Sequence, residues 1–85
     1  MSITNIDNII ISEAKRLADK YQKESFDCKD LVEILGVGTN SVRDLMNHKG
    51  FPTQTIGKRK VVTITNYVIW SLKQQMEVLY GKENN

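Results

Sequence analysis

At 85 residues, 40 % apolar and 26 % charged, the chain has room for one small globular domain, or for one domain with an extension. No apolar run approaches the ~20 residues that a membrane-spanning helix needs, and the start MSITNID lacks the basic-then-apolar order of a secretory signal, so a cytoplasmic protein is expected. Cys28 and His48 are each alone, which excludes an internal disulfide and a cysteine-based zinc site, and no nucleophile–base pair is present; no metal, cofactor or enzymatic activity is expected.

The N-terminal third, SITNIDNIIISEAKRLADKYQKE, is helical in outline. Thr4 with Asp7 resembles a capping box, and Ile6, Ile10, Leu17 and Tyr21, with Ile3, Ala14 and Ala18, trace an apolar stripe. The run of isoleucines at 9–11 is β-branched, so Ser12 is an alternative start. The oily side must be covered, either by the chain's own domain or by a second copy. Residues 22–26 form a short polar link, after which Phe26 enters the core.

Asp27 to His48, DCKDLVEILGVGTNSVRDLMNH, reads as two short helices broken by a glycine-bearing turn. Asp27 can cap the first, with Asp30 adding negative charge to its first turn. Leu31, Ile34 and Leu35 give a buried stripe, Cys28 packs as a small semi-buried residue, and Gly36 stops the helix in a left-handed conformation. Val37 is expected to plug the angle between the helices. Gly38 or Thr39 opens the second helix, in which Val42, Leu45 and Met46 point inward, leaving Thr39, Asn40, Ser41, Arg43, Asp44 and Asn47 outward. This is the pattern of a helix-turn-helix, whose second helix can enter a DNA major groove.

Lys49-Gly50-Phe51-Pro52 should end that helix, with glycine as its cap. Two β-prone runs follow, Thr53 to Ile56 and Val61 to Ile64, and the four residues Gly57-Lys58-Arg59-Lys60 between them predict a hairpin with a basic tip. Thr63 or Thr65 then caps a last helix running to about Tyr80. Tyr67 and Trp70 are expected in the core, while Ile69, Leu72, Met76 and Leu79 form a second stripe with no evident partner except the N-terminal helix. The tail at 81–85 is polar and expected to fray.

Charge follows the same division. Residues 1–35 hold five basic and seven acidic side chains, net −2, and residues 61–85 balance. Residues 36–60 hold Arg43, Lys49, Lys58, Arg59 and Lys60 against Asp44 alone, net +4, which is the footprint of a phosphate-binding face.

Phe26 to Leu72, a little over half of the chain, resembles the excisionase-type helix-turn-helix family, a winged-helix relative of the DNA-binding domain of MerR regulators. The likeness rests on DLVEILGV, SVRDLM, FPTQTIGKR, Val62 and the Trp70-Ser71-Leu72 end, in order and without a gap. Asp44 and Val61 stand where the family commonly has basic residues, and Gly50 where relatives often place an acidic one. The resemblance implies a mainly α fold with a small β-hairpin wing: a winged helix-turn-helix over residues 26–80, with a C-terminal helix and an extra N-terminal helical extension over 1–25. It implies that Thr39, Asn40, Ser41, Arg43 and Asn47 face the major groove, and that Lys58 and Arg59, with Lys60 beside them, form the wing tip. Lys49 is an added candidate from its position. Arg43 can fork to guanine or to phosphate, Asn40 or Asn47 can read adenine, and Asp44 either reads a cytosine amine or pairs with Arg43 or Lys49.

The expected function is sequence-specific binding of double-stranded DNA as an excisionase, or recombination directionality factor, of a mobile element, with a site-specific recombinase as partner. The alternatives are a dimeric transcriptional regulator, paired through the N- and C-terminal helices, and a protein-binding adaptor that no longer binds DNA.

Overall fold

The computed structural model describes residues 5–81; the expectations for Ile3, Thr4 and residues 82–85 lie outside them. α1 (Asn5–Tyr21) runs through all three isoleucines, so Ser12 does not start the helix. Helix propensity is a weak preference that packing overrides, and here Ile10, Ala14, Leu17, Ala18 and Tyr21 are held against the core. Ile6, expected on that stripe, is instead 53 % exposed.

The segment after α1 is more than a link. Gln22 takes a left-handed conformation (φ 56°) and its side-chain amide donates to the Asp19 carbonyl at 2.7 Å, closing the helix end. The chain then enters β1 (Ser25–Phe26), α2 (Cys28–Leu35), α3 (Thr39–Met46), β2 (Gln54–Ile56), β3 (Arg59–Thr63) and α4 (Ile64–Met76), and ends in a π-helical turn, Glu77–Gly81. The last helix therefore stops being α-helical at Met76 rather than near Tyr80. Thr63 is its cap, with Oγ1 accepting from the Asn66 N–H at 3.2 Å, and Ile64 belongs to the helix rather than to the preceding strand.

The protein is mainly helical with a small antiparallel sheet of three strands in the order β1–β3–β2. Ser25 pairs with Thr63 and Phe26 with Val62; on the other side of β3, Gln54, Thr55 and Ile56 pair with Val61, Lys60 and Arg59. A two-residue strand carries no pattern a sequence can show, and β1 exists because β3 offers it a partner. The Ile64 N–H, donating to the Glu24 carbonyl at 3.1 Å, extends the same seam.

Phe26, Leu31, Val42 and Val62 are fully buried, one from each of β1, α2, α3 and β3. Leu17, Met46, Phe51, Ile64, Tyr67 and Val68 complete the cluster, so α1 and α4 share the core that covers α2 and α3. Aromatic rings link the layers: Phe26 meets Tyr21 and Tyr67 edge-on, and Phe51 meets Trp70 edge-on with centroids 4.9 Å apart. Of the two ways to cover α1, the chain folds it back on α4. On α4, Leu72 packs against the core, whereas Ile69, Met76 and, beyond the helix, Val78 and Leu79 are exposed.

Candidate nucleic-acid interface

α2 is fixed at both ends by its own sequence. Asp27 Oδ1 accepts from the Asp30 backbone N–H at 3.0 Å, and the Asp27 N–H donates to Asp30 Oδ2 at 3.1 Å, a reciprocal capping box. Gly36, at φ 70° and ψ 29°, ends the helix as expected, in a conformation that costs glycine little. Val37 does not plug the inter-helix angle. It is 44 % exposed, while Leu31 before the turn and Val42 after it are fully buried.

Gly38 is the N-cap of α3 and supplies no side-chain hydrogen bond. The first-turn N–H groups of α3 are thus left for solvent or for an incoming anion. Val42 and Met46 are buried and Leu45 is partly buried, which turns Thr39, Asn40, Ser41, Arg43 and Asp44 outward, all exposed. The helix ends earlier than expected: Asn47, not Gly50, is the C-cap, its N–H donating to the Arg43 carbonyl at 3.0 Å. Thr53 Oγ1 donates to the Met46 carbonyl at 3.0 Å, so a side chain from the next segment satisfies the helix end. Lys49 lies exposed in the turn beyond the helix.

The hairpin turn is two residues, Gly57-Lys58, rather than four. Gly57 at φ 63° leads it, the arrangement that matches the twist of paired strands. Arg59 and Lys60 are accordingly strand residues, on opposite faces of β3. Lys60 Nζ donates to Asn47 Oδ1, and Lys60, Asn47, Arg43, Cys28 and Met46 line one shallow groove. Arg59 Nη2 donates to Asp27 Oδ2 at 2.8 Å, and Lys23 Nζ to Asp30 Oδ1 at 2.6 Å. No family model matches the chain, and no match is found among curated proteins or solved structures.

The basic segment therefore divides into free and held cations. Arg43, Lys49 and Lys58 make no ion pair among the described residues; Arg59 is paired with Asp27 and Lys60 is hydrogen-bonded to Asn47. Asp44 pairs with neither Arg43 nor Lys49 and stays on the exposed face of α3. The Asp30 backbone N–H, and after it the Arg59 guanidinium, hold the Asp27 carboxyl below its ordinary pKa against a burial that acts the other way. Asp30 raises the Lys23 ammonium correspondingly.

Sequence reasoning gathered the residues of α3 and the hairpin but missed two neighbours. Asp27 shows in the sequence only as a cap, and nothing there links it to Arg59, 32 positions away. Cys28 lines the same groove as Arg43 and Lys60 because it opens α2 beside the end of α3. Among the described residues no group of His, Cys, Asp and Glu could hold a metal ion, and no helix is long and apolar enough to cross a membrane.

Proposed function

We propose that this chain is a small sequence-specific DNA-binding protein with the architecture of a winged helix-turn-helix. α2 and α3 form the helix-turn-helix, α3 lies in the major groove, and the β2–β3 hairpin is the wing on the backbone or in the minor groove. The observation that carries this is the joining of the two basic elements: Lys60 of the hairpin bonds Asn47 at the end of α3, so the polar face of α3 and the basic turn form one surface. Thr39, Asn40, Ser41, Arg43 and Asn47 would meet base edges or phosphates, with Lys49 and the Lys58–Lys60 segment adding positive charge. The excisionase-type resemblance points to a recombination directionality factor that acts beside a site-specific recombinase. The exposed Ile6, Ile9, Met76, Val78 and Leu79 favour a second reading, a dimeric regulator paired through its outer helices.

The test is a gel-shift titration against duplex fragments from around the protein's own gene at two salt concentrations. Arg43→Ala should weaken retardation of the preferred fragment at least tenfold, with the wild-type complex weakening as salt rises. Footprints in direct repeats beside an integrase gene support excision; a palindrome supports the dimeric regulator. Equal retardation of every fragment, or none, refutes sequence-specific binding.

A further inference from the structure

Two consecutive hairpin residues are tied to the two helices of the proposed DNA-reading unit, one to each. Arg59 reaches the N-cap of α2, and Lys60 reaches the C-cap of α3. Their opposite orientations follow from strand geometry, since successive side chains leave β3 on opposite faces. Both oxygens of Asp27 are in use, Oδ1 by the Asp30 N–H and Oδ2 by Arg59. Lys58, in the turn itself, makes no ion pair among the described residues.

We infer that Arg59 is a positioning residue rather than a phosphate contact: its pairing with Asp27, matched by the Lys60–Asn47 bond on the other face, sets the hairpin's angle to α2 and α3 and leaves Lys58 as the wing's phosphate ligand. This rests on the DNA-binding reading. Pairing with β1 and the burial of Val61 and Val62 fix the base of β3, so it is the outer part of the hairpin, beyond Val61, that is free to swing unless something outside it fixes its direction. Holding it in the bound orientation before DNA arrives removes part of the ordering cost of association.

Asp27→Asn separates the two roles, because asparagine caps a helix about as well as aspartate while losing the charge that holds Arg59. A bracing Arg59 makes this variant bind DNA about two- to fivefold more weakly, the scale of one exposed ion pair. A phosphate-binding Arg59 makes it bind more tightly, since the arginine is released and a negative charge beside the DNA is removed. The salt dependence gives the second readout. Each lost phosphate contact lowers the slope of log affinity against log salt by about 0.9. Lys58→Ala should lose that amount, whereas Arg59→Ala and Asp27→Asn should keep the wild-type slope while binding more weakly at every salt concentration. Far-UV circular dichroism first establishes that each variant is folded. Unchanged or tighter binding by Asp27→Asn, or a slope reduced in Arg59→Ala, overturns the bracing role and leaves DNA binding standing. A wild-type chain that retards no duplex overturns DNA binding itself, and the bracing role with it.

Discussion

Phe26→Ala should remove a large share of the protein's stability, although the residue lies in a strand of only two residues. Its side chain is fully buried, with ring centroids 5.6 Å from Tyr21 and 5.8 Å from Tyr67, both in edge-on geometry. Truncating a buried phenylalanine costs ~3–5 kcal/mol, and two lost aromatic pairs of ~0.5–1.5 kcal/mol each place this site toward the upper end. A chain of this length has a total stability of about 4–13 kcal/mol. At about 4–8 °C per kcal/mol for a domain this small, the melting temperature should fall by at least about 12 °C. Phe26→Leu keeps most of the volume and should cost under about 1.5 kcal/mol plus the ring contacts. Thermal and urea melts followed by far-UV circular dichroism measure both. A cost below about 1 kcal/mol for Phe26→Ala would refute the claim that this ring joins α1, the sheet and α4 into one core.

Acid should loosen the same corner of the molecule. The Asp27 carboxyl is held below its ordinary pKa, first by the Asp30 N–H and then by Arg59, so it contributes stability that is present above the unfolded value of ~3.9 and lost as pH falls through the lower folded value. The melting temperature of the wild type should therefore drop more steeply below about pH 4 than that of Asp27→Asn; parallel curves would exclude the linkage. Gly36→Ala should cost about 1 kcal/mol from backbone conformation alone, because φ is +70° and an added Cβ meets nothing within 4 Å. Gly36→Asn should cost less, since asparagine tolerates that region better, and equal melts for all three would contradict the left-handed cap.

The helical skeleton was legible because its signals are local. Asp27 and Asp30 announce a helix start, Gly36 a stop, and the spacing of Val42, Leu45 and Met46 a buried face; each resides within a few residues of chain. The three-stranded sheet was half legible. The β2–β3 hairpin is local, but β1 depends on a partner 36 positions away at Phe26–Val62. The hairpin's exact turn is less legible because Arg59 and Lys60 are charged and resemble loop, while the part of β3 that β1 does not cover is exposed on one edge and accepts charge readily. For the candidate interface, outward residues of α3 follow from helix periodicity, whereas the ties Arg59–Asp27 and Lys60–Asn47 are tertiary and leave no trace in spacing.

α1 and α4 lie side by side, with the C-terminal end of α1 and the start of α4 joined through Tyr21, Phe26 and Tyr67 and through the seam between Glu24 and Ile64. The two helices must therefore run in opposite directions, and the described chain begins and finishes at the same pole. Fluorophores placed near Asn5 and Gly81 would sit close together in the native protein and separate when it unfolds, as the chain expands toward a radius of gyration of about 29 Å. The fold is thus its own molecular ruler, in which one end-to-end distance reports whether the helix that precedes the sheet is docked on the helix that follows it.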